Sequence, residues 1–188
     1  GCGVGQNPIE KIQRELQDQK EYTIILNDMR EEGNFLPSYY HQYRIDIGDQ
    51  KIQRPFIEVD ESIYKKNEPY LGMALSGKTA DGVVTNTPFP NGYQYVGNPQ
   101  YGTWRENDRG GSMWEFCGKY MLMSQVMNWA GFGLQRNHYN DYSSFRGRGQ
   151  PYYGPNRQYG TAGTVTQKQK PDFFKRKMAK KSRSQNRF

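Results

Sequence analysis

Ser38-Tyr39-Tyr40-His41-Gln42-Tyr43-Arg44-Ile45-Asp46-Ile47 alternates along its whole length. Tyr39, His41, Tyr43, Ile45 and Ile47 fall on one side of an extended chain and Tyr40, Gln42, Arg44 and Asp46 on the other, the period of a half-buried antiparallel strand. The flanks share this character. Tyr22 to Met29 upstream and Ile52 to Val59 downstream also read as strands, with Gly33-Asn34 and Gly48-Asp49-Gln50 as turns between them. The three together predict a β-meander. Pro55, which has no N–H to donate, moves the third segment to a sheet edge.

Ahead of the meander, Asn7-Pro8-Ile9-Glu10 has the form of a helix start: Asn7 as N-cap, Pro8 at the first helical position and Glu10 completing a capping box. Ile9, Ile12 and Leu16 then fall on one stripe, with charged and amide residues elsewhere through Lys20. A helix followed by a meander predicts an α+β fold in which the helix lies on the apolar face of the sheet.

Gly72-Met73-Ala74-Leu75-Ser76-Gly77-Lys78-Thr79 matches the GxxxxGKT phosphate-binding loop letter for letter. That loop needs a buried strand before it and a helix N-terminus after it. Here Asn67-Glu68-Pro69 precedes it, and Ala80-Asp81-Gly82-Val83-Val84-Thr85-Asn86-Thr87-Pro88 cannot continue as a long helix. The segment is therefore expected to be a strand leading into a solvated turn at Gly77, Lys78 and Thr79. Nucleotide hydrolysis is the less favoured reading.

Residues 85 to 112 are dominated by Asn, Gly, Pro, Gln and Tyr and predict a loop-rich stretch. Its rings, Tyr93, Tyr95, Tyr101 and Trp104, are expected to close the loops over a core rather than to form a platform for sugars or bases. From Ser112 to Leu134 apolar residues return, among them Met113, Trp114, Phe116, Met121, Leu122, Met123, Met127, Trp129 and Phe132. They predict a helix, with Glu115 and Lys119 as an i, i+4 pair. Its uncharged part, Tyr120 to Leu134, is about 22 Å long as a helix, short of a hydrocarbon core of about 30 Å. It is expected to pack on the sheet, with a protein partner docking on this Met- and Trp-rich segment, or its lying in a membrane interface, as the alternatives. Cys117 is expected to be a buried free thiol.

Beyond Leu134 there is no Ile or Leu, while nine Tyr or Phe residues recur among Gly, Arg, Gln and Ser. Residues 136 to 188 carry seven Arg and six Lys against Asp141 and Asp172, a local charge of +11 within a chain total of +7. Such a composition predicts a disordered basic tail over 135–188, following a folded domain over 7–134 and a short tether over 1–6. Long-range attraction of the tail to anionic polymers or lipid headgroups follows from its charge. Arg146, Arg148, Arg157, Lys175, Arg176, Lys177, Lys180 and Lys181 are the candidate cations, and Tyr142, Phe145, Tyr152 and Tyr153 the candidate ring contacts. The same interleaving suits RNA or single-stranded nucleic acid, which stands as the alternative partner.

The chain has 188 residues, of which 34% are hydrophobic, and its mean hydropathy is −1.03. One modest core is the most it can build. Two cysteines exclude a disulfide scaffold, and two histidines with no ligand cluster leave no expected metal or cofactor site. A binding or scaffolding role is therefore expected, not catalysis.

Gly1-Cys2-Gly3-Val4-Gly5-Gln6 places a thiol in a flexible terminal tether. This arrangement resembles the bacterial lipoproteins, in which a small residue precedes the Cys that is acylated and a flexible linker follows. The resemblance covers the tether only, and the hydrophobic signal segment of that family does not precede Gly1 in the sequence. It implies lipidation of Cys2 and a membrane anchor in the cell envelope, facing the periplasm or the exterior. A myristoylated and palmitoylated Gly-Cys start is the other acylated reading, with Gly5 in place of the usual Ser or Thr.

Overall fold

The computed structural model describes residues 7–127 and 134–186. Cys2, Trp129 and Phe132 lie outside them. The fold is α+β, with an N-terminal helix, an antiparallel meander and C-terminal helices.

α1 (Pro8–Glu15) starts at the expected cap: the Asn7 side chain accepts a hydrogen bond from the Ile9 N–H at 3.0 Å, with Pro8 in the first turn, while Glu10 does not close the capping box. It ends with Leu16 as C-cap, short of Lys20. β1 (Tyr22–Glu32), β2 (Ser38–Ile47), β3 (Gln50–Gln53), β4 (Ile57–Val59), β5 (Ala74–Lys78) and β6 (Val84–Thr85) form one antiparallel sheet in the order β3-β2-β1-β5-β6. The segment expected as a single third strand is two. β3 pairs with Arg44 to Ile47 and β4 with Tyr39 to His41, both on the same edge of β2, and the chain leaves the sheet between them around Pro55.

One face of the sheet carries Tyr22, Ile24, Leu26, Tyr43, Ile45 and Leu75 and packs against Ile12 and Leu16 of α1, Tyr64 of α2 (Glu61–Asn67) and Phe173 of a C-terminal helix. The expected position of α1 is the observed one. The opposite face is covered too. Ile25 and Ala74 pack there against Phe89, Tyr93, Tyr95, Tyr101, Trp114, Tyr142 and Tyr152. Both faces of β1 are therefore buried, which explains its near-continuous run Tyr22-Thr23-Ile24-Ile25-Leu26.

Two expectations need correction. Ser112 to Leu134 is not one helix. β8 (Ser112–Phe116) pairs in a hairpin with β7 (Gly102–Glu106), opposing Trp114 to Trp104, and is followed by a short 3₁₀ turn at Gly118–Tyr120 and α3 (Met123–Val126). The indoles meet edge to face with centroids 5.2 Å apart, and Glu115 pairs across the hairpin with Arg105, not with Lys119. Cross-strand contacts of this kind, with a turn at Asn107–Gly111, outweigh local helical propensity.

Residues 135–186 are not a disordered tail, and the domain does not stop at 134. They form α4 (Arg136–Gly147), α5 (Thr164–Gln169) and α6 (Pro171–Gln185), and insert Tyr142, Tyr152 and Phe173 into the two cores. Aromatic rings bury about 150–250 Å² each, so a segment without Ile or Leu still reaches the apolar area that ordering requires.

Candidate anionic-surface interface

α6 is docked by one stripe. Successive residues of a helix turn by 100°, so Phe173, Arg176 and Lys180 lie on one side. Phe173 is buried and meets Phe174 at right angles, centroids 5.1 Å apart. Arg176 donates to Asp28 Oδ1 at 2.6 Å and Lys180 pairs with Glu31 at 3.0 Å, which clamps the helix along the second half of β1. Two of the candidate cations are thus engaged in ion pairs to the sheet, Arg176 part-buried and Lys180 at the surface. Lys175, Lys177, Lys181 and Arg183 remain exposed, because the stripe that docks the helix turns them to its flanks and outer side. Asp172 in the first turn and Arg183 in the last suit the helix dipole.

The other candidates separate. Arg157 is brought to Lys177: with Lys65, Glu68 and Tyr153 they wall a cleft of about 410 Å³. Arg146 and Arg148 sit exposed at the end of α4, over the opposite face of the sheet. The rings are not free contacts. Tyr142 and Tyr152 are buried, and burial pushes both phenols up to about 12. Phe145 and Tyr153 are half-buried, and each is capped by the chain's own guanidinium: Arg148 is 4.8 Å from the Phe145 centroid and Arg157 is 5.0 Å from that of Tyr153. The interleaving that suggested base stacking is therefore largely consumed by intramolecular cation–π pairs. Trp104 and Arg136 make another at 5.4 Å.

Phe35 and Leu36 are functional candidates that the strand pattern does not flag. They form the tip of the β1–β2 hairpin and are 96% and 87% exposed. Among the described residues nothing covers them. The adjacent Gly33, Asn34 and Pro37 share the walls of one groove with Ala179, Lys180, Arg183 and Ser184. The apolar tip and the basic last turns of α6 therefore stand side by side at one end of the molecule. The available signal was an apolar pair lodged among turn residues, Gly33-Asn34-Phe35-Leu36-Pro37. Met178, 72% exposed on α6, adds to the apolar surface of this helix.

The phosphate-loop match has another physical basis. Gly77 and Lys78 are not in a turn but in β5, paired to both β1 and β6. Gly77 is required by packing, since a Cβ there would stand 1.5 Å from Gln94 Oε1. The Lys78 ammonium donates to the Gln17 carbonyl at 3.3 Å. Thr79 is buried, bonds Asp81 through its hydroxyl, and opens the turn to β6.

Tyr93, Tyr95 and Tyr101 are buried in the core, as expected of loop-closing rings. Cys117, in contrast, is an exposed free thiol and not a buried one, because it follows β8 where the chain leaves the hairpin. Met121 and Leu122, from the segment read as a possible partner surface, are 61% and 57% exposed. Among the described residues no group of three His, Cys, Asp or Glu side chains converges, and no helix is long and apolar enough to cross a membrane. No family model matches the chain, and comparison with the curated proteins and with the solved structures finds no match.

Proposed function

We propose that this chain is a membrane-tethered envelope protein with a binding or scaffolding role, held by an acylated Cys2 and seated on anionic lipid headgroups through the hairpin tip and α6. The observation that carries this reading is the pairing of Phe35 and Leu36, almost wholly exposed, with Lys181 and Arg183 in the last turns of α6 at the same end of the fold. A glycan or nucleic acid accounts for the cations only. A lipid surface accounts for both, because the apolar pair enters the acyl boundary while the cations meet phosphates. Each cation close to such a surface contributes about 1 kcal/mol. A fully buried Phe or Leu contributes about 1.5–3 kcal/mol, and an interfacial one less.

The test is sedimentation of the full chain with vesicles of phosphatidylcholine, with and without phosphatidylglycerol. Binding is expected only with the anionic lipid and should weaken with salt. Phe35→Ser with Leu36→Ser should weaken it at least tenfold, and Lys177→Gln, Lys181→Gln and Arg183→Gln together by roughly a hundredfold. Binding indifferent to both sets of changes would overturn the reading. For the anchor, mass spectrometry of natively produced protein should find Cys2 acylated, and an unmodified thiol would remove it.

A further inference from the structure

A second site lies on the face of the sheet away from α1, at its β2–β3 edge. Arg44, Lys51 and Lys170 wall a cavity of about 280 Å³ there, with Ile25, Met127 and Tyr159 as its less polar side. Register explains the meeting of strands: Arg44 opposes Ile25 on β1, and Lys51 opposes Asp46 across the edge pair. Lys170 arrives from the junction of α5 and α6.

The charges around this cavity do not balance. Asp46 is nearly sheathed, taking a two-pronged contact from Arg44 at 2.8 and 2.9 Å and a further hydrogen bond from Asn91 at 3.2 Å. Asp28, the carboxylate that acts on Lys170, is held by Arg176. Lys170 is half-buried and, among the described residues, donates only to the neutral Asn27 Oδ1 at 2.7 Å. Lys51 makes no ion pair among the described residues. Two ammonium groups thus line one cavity without a carboxylate of their own, Lys170 half-buried within it and Lys51 exposed at its rim on β3. Burial and the positive charges of Arg44 and Lys51 hold the Lys170 ammonium below the usual lysine range. Lys170 is also the N-cap residue of the 15-residue α6, whose dipole adds positive potential at that end.

We propose that this cavity binds a phosphate dianion carried by a small organic group, with Lys51 and Lys170 as its counter-charges and Arg44 as a third, shared donor. Two uncompensated cations match a doubly charged phosphate. Small-molecule pockets begin near about 300 Å³, so the volume admits a phosphomonoester and not a polymer strand. The ligand is a free molecule and not a headgroup of the membrane seated on the hairpin tip. β2 runs from Ser38, beside the tip, to the cavity at Arg44, and six residues of strand at about 3.3 Å each keep them some 20 Å apart.

The experiment is thermal unfolding of the full chain with inorganic phosphate or glycerol phosphate, against chloride and glycerol at equal ionic strength. Phosphate is expected to raise Tm saturably, and glycerol phosphate to do so at lower concentration. Lys51→Met and Lys170→Met should each shift the half-saturating concentration upward at least tenfold. Lys175→Met, on the outer surface of α6, should leave it unchanged. Lys170→Met alone is expected to raise the unliganded Tm, which separates a site residue from one whose loss merely unfolds the chain. Equal responses to phosphate and chloride, or an unchanged midpoint in both cavity variants, would overturn the site. Loss of vesicle binding in Lys170→Met would overturn the free-ligand assignment in favour of a lipid headgroup.

Discussion

His41 is fully buried on β2, with Nδ1 2.8 Å from the Tyr43 hydroxyl and Nε2 without a partner among the described residues. Tyr64 stacks on the ring at 5.5 Å. Burial leaves no room for an imidazolium and lowers the folded pKa from 6.5 to about 4. Between these values the unfolded chain binds the proton and the folded chain does not, so stability falls as pH drops through that window. The full effect is about 3 kcal/mol. Chemical unfolding at pH 7 and pH 4.5 should show most of this loss in the native sequence and little of it in His41→Gln. A second residue-scale prediction concerns Gly77. An added Cβ displaces the Gln94 side chain, whose Nε2 donates to the buried Thr23 hydroxyl at 2.8 Å. Gly77→Ala should therefore cost about 1–3 kcal/mol in urea unfolding. That is a packing cost, and it explains the glycine without reference to phosphate.

At the scale of elements, β5 has strands on both sides and no helix after it, so millimolar ATP or GTP with magnesium should leave Tm unchanged. A magnesium-dependent rise would restore the phosphate-loop reading. α6 is bound to the sheet through Phe173, Arg176 and Lys180. Phe173→Ala should cost about 3 kcal/mol, read from the urea midpoint. How much of each element was legible in the sequence depended on where its partners lie. β2 was readable because its alternation is local and ten residues long. α1 was readable because cap, Pro and stripe lie within one window. β8 was not: Met113-Trp114-Glu115-Phe116 is too short to separate a period of 2 from one of 3.6, and Trp104, which decides it, is on another strand. The basic segment was misread for a related reason. Its composition lacks aliphatic residues, but Tyr142 and Tyr152 meet Phe89 and Tyr93, which are distant in sequence. The cations of the candidate interface were legible as a charge run, but which of them are spent on Asp28 and Glu31 was not.

The whole molecule is a sheet covered on both faces, with the last third of the chain contributing to both cores. Deleting residues 136–188 is therefore expected to unfold the domain, seen as loss of the cooperative thermal transition, and not merely to remove a binding tail. Most of the net charge of +7 then belongs to a folded surface. Lys181 and Arg183 lie in the last turns of α6 near the hairpin tip, Arg183 on the shared groove, so one end of the molecule carries both apolar and cationic groups. Hydrogen exchange of the full chain, with and without phosphatidylglycerol vesicles, tests that claim most directly. New protection is expected at the hairpin tip around Phe35 and Leu36 and in α6 from Lys177 to Ser184, and nowhere else. Protection centred on Arg146 and Arg148, or none on adding vesicles, would contradict it.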